Sequence, residues 1–197
     1  MKIKICGLFR KEDIEYVNQV KPDYIGFVFA KSPRQVTYQQ AKELKMLLDK
    51  DIKAVGVFVN GNIDDIVRLV DDHIIDIVQL HGHENHQYIQ ELKRYIDCQI
   101  IKAIKIKDEK TKFEDYDVDY YLLDGQQPGS GQAFDWHLIQ KMNKPFFLAG
   151  GIGLNNIDDA LKISCFALDV SSGVETNGVK DQTKIEEIVR RVRNECR

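Results

Sequence analysis

The sequence lacks several features that would commit it to a specialised class of protein. No apolar run approaches the roughly 18 to 20 residues that a membrane span needs, and the chain opens on alternating Lys and Ile rather than on an apolar signal region. Its formal net charge of −3 offers no general attraction for nucleic acid or anionic lipid. These absences predict an ordinary globular protein of the cytoplasm.

The four cysteines are scattered along the chain at Cys6, Cys98, Cys165 and Cys196. None forms a C-x-x-C pair, so their spacing fits neither a zinc knuckle nor a disulfide framework. Cys98 and Cys165 are interpreted as small buried hydrophobic residues, and Cys196, next to the C-terminus, as an exposed thiol. Cys6 differs because it stands at the end of the first predicted strand.

Short β-rich runs alternate with segments of helical period along the chain. Eight runs rich in Ile, Val, Phe and Tyr are typical of buried parallel strands: Lys2–Cys6, Tyr24–Phe29, Ala54–Val59, Ile74–Leu80, Gln99–Ile106, Tyr120–Leu123, Phe146–Ala149 and Phe166–Val170. Helices are predicted at Lys11–Val20, Gln39–Leu48, Ile63–Val70, Asn85–Ile96, Trp136–Met142, Asn156–Ile163 and Thr183–Val192. The charged segment 107–119 shows little helical period, and a loop or single turn is predicted there.

Strict alternation of strand and helix predicts a parallel sheet with right-handed crossovers. Eight such units with short connections favour one (β/α)₈ barrel, or TIM barrel, over residues 1–197, with the helix between strands 5 and 6 short or missing. An open doubly wound sheet is the alternative, and it would need a reversal of strand order. In a barrel the chemistry lies at the C-terminal ends of the strands.

The ends of the seventh and eighth strands predict a phosphate site. Gly150 and Gly151 follow one strand, and Ser171, Ser172 and Gly173 follow the other. Exposed backbone N–H groups and hydroxyls, together with the N-terminus of a short helix, would bind a phosphate there. Plain tight turns are the alternative interpretation, and the two matching sites at the expected positions favour phosphate. No lysine of the Walker type is present, so a nucleoside triphosphate is not expected.

An acid and a base are predicted at two other strand ends. Asp124 leaves an apolar strand into a glycine-rich loop, where a buried carboxyl would keep its proton and serve as a general acid; a turn-capping Asp is the equal alternative. Positive potential at the barrel mouth would bring the Cys6 thiol into range for a general base. Cys6 shares strand parity with Lys4, and a buried Lys4 needs a partner, for which Asp169 is the candidate.

Arg34 and His81 complete the candidate substrate-binding residues. Arg34 follows Pro33 in a loop that can present its guanidinium to a carboxylate in bidentate fashion; a solvated surface arginine is the alternative. His81 faces inward by parity with Gln79 and Ile77, and could hydrogen-bond a substrate. His83 and His86 are interpreted as solvated, and no metal site is expected.

Ordered motifs cover nearly the whole chain, and together they resemble the phosphoribosylanthranilate isomerase family, barrel enzymes of tryptophan biosynthesis. The matching segments are Lys4–Leu8, Ile25–Phe29, Ser32–Val36, Val55–Asn60, Val78–Gly82, Leu122–Asp124, Gly129–Gly131 with Phe134–Trp136, Leu148–Gly151, and Asp169–Glu175 with Lys180 and Asp181. Two positions depart from the family pattern, Phe9 in place of Thr and Pro128 in place of Gly, and Pro128 stiffens the entrance of its loop.

The resemblance implies an Amadori rearrangement of N-(5-phosphoribosyl)anthranilate to the 1-deoxyribulose 5-phosphate derivative, with no cofactor. It implies that Asp124 is the general acid and Cys6 the general base. Arg34 would hold the anthranilate carboxylate, and Gly150, Gly151, Ser172 and Gly173 the phosphate. Asp169 and Ser171 are counted with these substrate-binding residues.

Two alternatives stand beside this reading. The related isomerase of histidine biosynthesis would be expected to have an acidic residue in place of Cys6 and a second phosphate site, and neither is seen. A barrel that has lost catalysis and binds a phosphometabolite or a partner is disfavoured because Cys6, Asp124 and Arg34 are all present. The expected partner is a small phosphorylated substrate, and the chain is expected to be a monomer or homodimer.

Overall fold

Eight parallel strands close into a barrel in the computed structural model, which describes residues 1–106, 108, 114–125, 135–139 and 142–194. Hydrogen bonding runs in sequence order from β1 to β8 and returns to β1. The strands are β1 (Lys2–Cys6), β2 (Tyr24–Val28), β3 (Lys53–Phe58), β4 (Ile77–Leu80), β5 (Gln99–Lys105), β6 (Tyr120–Asp124), β7 (Phe146–Leu148) and β8 (Ala167–Val170). The closed order confirms the predicted barrel and excludes the doubly wound sheet.

Six helices lie among the described residues, and they pack apolar faces on the outside of the barrel. They are α1 (Lys11–Val20), α2 (Tyr38–Leu47), α3 (Ile63–Asp71), α4 (His86–Leu92), α5 (Ile157–Ala160) and α6 (Gln182–Asn194). Side-chain caps fix several starts, such as Thr37, which accepts a hydrogen bond from the backbone N–H of Gln40 in a capping box. None of these helices is long and apolar enough to cross a membrane.

The predicted fourth strand is three residues too long at its start. His73 adopts a left-handed conformation that ends α3, and the N–H groups of Ile74 and Ile75 both bond the carbonyl of Leu69. These two isoleucines are fully buried while they close the helix, so β4 begins only at Ile77. The prediction is wrong because an apolar run in a sequence indicates that residues are buried, but it does not show whether they pair in a sheet.

Two predicted helices are much shorter in the structure. Asn156–Ile163 contains the single helical turn of α5, and of Trp136–Met142 only a 3-10 turn over Trp136–Leu138 is helical among the described residues. Asn156 turns its side chain back to the preceding loop, where it bonds Gly151 and Gly153. In segment 107–119 the described stretch 114–119 is not helical, as predicted, and the remainder lies mostly outside the described residues.

A short antiparallel hairpin that the sequence did not predict follows the eighth strand. It consists of β9 (Glu175–Thr176) and β10 (Val179–Lys180), with Asn177 and Gly178 at positive φ in its turn. The hairpin follows the C-terminal end of β8 and carries Glu175 and Lys180 there.

Two apolar clusters make up the core, one between barrel and helices and one inside the barrel. The interior cluster includes Tyr24, Ile77, Leu122 and Phe147, and fills the N-terminal part of the barrel. Towards the C-terminal end the interior becomes polar, and this change of chemistry locates the candidate site.

Candidate active site

A cavity of about 370 Å³ opens at the C-terminal ends of the strands. The structure brings nine of the ten predicted site residues to its wall: Cys6, Arg34, His81, Asp124, Gly150, Gly151, Asp169, Ser171 and Ser172. A larger cavity of about 730 Å³ lies at the opposite end, beside the starts of β7 and β8. Barrel chemistry takes place at the C-terminal face, so the smaller cavity is the candidate active site.

Cys6 is the last residue of β1, with 8% of its surface exposed. Gly26 of the neighbouring strand leaves room for the thiol, since a Cβ atom at Gly26 would lie 2.6 Å from Cys6 Sγ. The next residue, Gly7, has φ of +82°, which turns the chain away from the strand. Both glycines are therefore needed to place this thiol at the cavity wall.

Burial raises the pKa of the Cys6 thiol above its ordinary value of 9.0. Lys4 and Lys180 lower that pKa in part, and Asp169 raises it further. The expectation that positive potential would bring the pKa of Cys6 down is wrong, because desolvation outweighs the two ammonium groups. Cys6 therefore rests as a thiol at neutral pH.

Lys4 pairs with Asp169 at 3.0 Å, as parity predicted. The strand register sets the two residues side by side on β1 and β8, and both side chains are buried. Burial alone would lower the pKa of Lys4, but the interactions with Asp169 and Cys6 raise it overall. Removal of one member of such a buried pair costs about 3–5 kcal/mol, because the other charge is left uncompensated.

One carboxylate oxygen of Asp169 has no hydrogen-bond partner among the described residues. Oδ2 accepts the hydrogen bond from Lys4, while buried Oδ1 has no hydrogen-bond partner among the described residues. A buried carboxylate oxygen is seldom left unpaired, and this residue lines the cavity. Oδ1 is thus a buried acceptor without a partner among the described residues, on a side chain that lines the cavity.

Asp124 ends β6 on the opposite wall, three strands from Cys6 around the ring. Its Oδ1 accepts a hydrogen bond from the N–H of Gly125 at 2.8 Å, and Oδ2 lies 3.3 Å from Nε2 of His81. His81 is thus beside the candidate acid, a contact that sequence reasoning missed. The glycine-rich segment Gly129–Gly131, with Pro128, lies outside the described residues.

Arg34 is anchored by a residue to which the sequence assigned no role. Its Nε and Nη2 atoms donate to the two carboxylate oxygens of Glu175, at 2.6 and 2.7 Å. Glu175 also binds Lys180, whose pKa is lowered by burial. Glu175 therefore occupies the edge of the guanidinium formed by Nε and Nη2. A substrate carboxylate would have to bind at the end edge, which carries Nη1.

The two glycine-rich loops pack tightly against each other. Gly150 and Gly151 both have positive φ, and Gly153 forms an isolated bridge with Gly173. A Cβ atom at Gly173 would lie 1.9 Å from the carbonyl oxygen of Ile152, so no other residue fits there. Gly173 joins the two loops without lining the cavity.

The expected short helix is absent after β8, where residues 171–174 form a turn that leads into the hairpin. The Ser171 hydroxyl donates to the carbonyl of Cys6 at 3.1 Å and ties this turn to β1. Ser172 lines the cavity beside Gly150 and Gly151. The loops alone would therefore form an anion site, without a helix N-terminus at the end of β8.

The remaining histidines do not form a metal centre in the part of the chain that the structure describes, where no group of three or more His, Cys, Asp or Glu is placed to hold an ion. His83 and His86 are exposed, as predicted. His86 stacks on Tyr116 and lies 3.5 Å from Glu114.

Comparison with known proteins gives a consistent result over the full chain. The model of a family described as N-(5'phosphoribosyl)anthranilate (PRA) isomerase matches residues 3–191. The chain is 48% identical over 198 residues to an N-(5'-phosphoribosyl)anthranilate isomerase from Endomicrobium trichonymphae, covering 98% of each protein.

Solved structures agree with the sequence comparison. The phosphoribosyl anthranilate isomerase from Thermus thermophilus aligns with a TM-score of 0.87 at 30% identity, over 98% of this chain and 99% of that one. A phosphoribosyl anthranilate isomerase in complex with reduced 1-(o-carboxyphenylamino)-1-deoxyribulose 5-phosphate aligns with a TM-score of 0.81 at 27% identity, with the same coverage.

Proposed function

The chain belongs to the N-(5'-phosphoribosyl)anthranilate isomerase family and acts as that isomerase in tryptophan biosynthesis, and we propose that Asp124 and Cys6 are its general acid and general base. The observation that carries this assignment is their placement on opposite walls of one cavity. Family membership decides against the histidine-pathway isomerase.

Asp124 acts first in the proposed mechanism. Its carboxyl gives a proton to the ribose ring oxygen, the C1–O bond breaks, and the anthranilate nitrogen supplies the electron pair that forms a Schiff base cation. The ionised carboxylate left behind is stabilised by the N–H of Gly125 on one oxygen and by His81 beside the other.

The thiolate form of Cys6 then removes the proton from C2. The C–H electron pair forms a C1=C2 bond, and the C=N electrons return to nitrogen. Loss of the C2 hydroxyl proton and protonation of C1 complete the ketone. C2 is oxidised and C1 reduced within one molecule, so we class the enzyme as an intramolecular oxidoreductase. Because the substrate's own amine is the electron sink, no cofactor is needed.

The substrate is held by three groups of residues in this proposal. Arg34, anchored by Glu175, binds the anthranilate carboxylate through its end edge. Gly150, Gly151 and Ser172 bind the phosphate, with Gly173 and Ser171 maintaining the loops. The Asp169 carboxylate, which lines the cavity, accepts a hydrogen bond from a sugar hydroxyl. The compound bound in one solved relative, reduced 1-(o-carboxyphenylamino)-1-deoxyribulose 5-phosphate, carries the three kinds of group that these residues would bind: a carboxylate, a phosphate and sugar-derived hydroxyls.

Three further sequence predictions stay proposals. We propose one catalytic domain over the chain, a cytoplasmic location, and a monomer or homodimer. Light scattering of the purified protein distinguishes the last two states.

The pH profile tests the acid–base pair. The active form needs one proton on Asp124 and none on Cys6. The form that carries this proton on the thiol instead holds the same number of protons, so the ratio of the two forms does not change with pH. Carboxyl groups ionise at lower pH than thiols. kcat/KM should therefore be flat between about pH 7 and 9. The lower bound lies above the pKa of the substrate phosphate, which is about 6. Above about pH 9, kcat/KM should fall as Cys6 ionises, because its pKa is raised above the ordinary value of 9.0.

Asp124→Asn gives the matched comparison. With no acid to protonate, residual activity should follow the thiolate alone and rise about tenfold per pH unit towards the raised pKa of Cys6. The charged groups that interact with the thiol, Lys4, Asp169, Lys180 and Arg34, are unchanged in this variant. A flat profile in Asp124→Asn would show that the thiolate is not the base.

A further inference from the structure

Lys4 fixes the orientation of a glutamine inside the barrel. Its Nζ lies 2.6 Å from Oε1 of Gln79, which is 1% exposed. An ammonium can only donate, so the amide oxygen of Gln79 must face Lys4. Lys4 is itself held by Asp169, and the amide of Gln79 therefore has one permitted orientation.

This orientation determines which nitrogen of His81 carries hydrogen. Nε2 of Gln79 lies 3.0 Å from Nδ1 of His81. The amide NH₂ group only donates, so Nδ1 accepts and carries no hydrogen. A neutral imidazole has one N–H, which must then be on Nε2, the atom 3.3 Å from Oδ2 of Asp124.

We propose that Gln79 is a positioning residue that selects the Nε2–H tautomer of His81, so that His81 presents a donor to Asp124. This rests on the proposed role of Asp124 as the general acid. The donor stabilises the carboxylate that forms when the acid gives its proton to the ring oxygen. In the other tautomer the Nε2 lone pair would face Asp124 and draw the acid's proton away from substrate.

The tautomer itself is observable without catalysis. In the substrate-free protein, ¹⁵N chemical shifts of the histidine rings, with the His81 signals identified from a His81→Gln spectrum, report which nitrogen is protonated. We expect a single Nε2–H tautomer in the parent. In Gln79→Met, which removes the amide but keeps the length of the side chain, we expect a mixture. A parent His81 with hydrogen on Nδ1 overturns the proposal, whether or not Asp124 is the acid.

Activity then shows whether the tautomer matters. Gln79→Met should lower kcat about 10- to 100-fold, with a smaller change in KM; this is the size of effect seen when the partner that orients a metal-binding histidine is removed. Gln99→Met is the matched control, because Gln99 also donates from the barrel interior, to Tyr120, but at the opposite end; it should leave kcat and the His81 tautomer unchanged.

The His81→Gln background separates selection of a tautomer from general damage to the site. A glutamine amide can turn its NH₂ towards Asp124 without help, so Gln79→Met should cost less than about threefold there. An equal cost in both backgrounds, or an unchanged His81 tautomer in Gln79→Met, overturns the proposal. If Asp124 is not the general acid, a different result would show it: the Asp124→Asn variant would keep most of its activity.

Discussion

Replacement of Cys6 by alanine is expected to lower kcat/KM by about 10²- to 10⁴-fold, the usual contribution of a general base. No other thiol among the described residues lines the cavity, so the proton on C2 would lose its acceptor. Cys6→Ser should be similarly impaired although it keeps the shape of the side chain, because a hydroxyl is a much weaker acid than a thiol. Steady-state kinetics on freshly prepared phosphoribosylanthranilate measure both.

Cys98→Ala is the matched control for this loss. Cys98 is half-buried at the start of β5, and burial raises its pKa to about 11. The variant removes a thiol of similar chemistry from outside the cavity, and its kcat/KM should equal that of the parent. If Cys6→Ala kept most of its activity while remaining folded by circular dichroism, Cys6 would not be the base.

Asp124→Asn should also lower kcat/KM by about 10²- to 10⁴-fold at neutral pH. Asparagine has the size of aspartate and can keep the contact with the Gly125 N–H, but it has no proton of suitable acidity for the ring oxygen. The loss should appear in kcat rather than in KM, since the change removes an interaction that matters mainly in the transition state.

Asp119→Asn is the control that separates this effect from the loss of any carboxylate next to β6. Asp119 precedes β6 at the opposite end and accepts a hydrogen bond from the N–H of Ile100. Its replacement should cost about 1 kcal/mol of stability and leave kcat/KM unchanged. Equal losses in the two variants would contradict a specific acid at Asp124.

Much of this site could be predicted because a closed parallel barrel brings the C-terminal ends of all its strands together at one face. Inward parity placed Cys6 beside Lys4, and the same logic paired Lys4 with Asp169 across the β1–β8 seam. The loops after β7 and β8 meet because those strands are adjacent. These relations depend only on the order of strands and on the alternation of side chains, which the sequence displays.

Other features depend on distances that no pattern contains. Glu175 reaches Arg34 only because an unpredicted hairpin turns back over the barrel. Gln79 and His81 were visible as inward residues of one strand, but their link to Lys4 and Asp124 crosses the interior. The pKa of Cys6 rises because burial outweighs nearby ammonium groups, a balance that charge counting cannot predict.

The central claim is that Cys6 removes a proton from C2, and deuterium at C2 of the substrate tests it most directly. A thiol exchanges its hydrogen with solvent, so turnover in ordinary water should give a product that has lost the deuterium and carries solvent hydrogen at C1, with no covalent adduct on Cys6 in the mass of the quenched enzyme. Full retention of deuterium at C1, which a hydride shift would give, or an adduct on Cys6 would contradict the account.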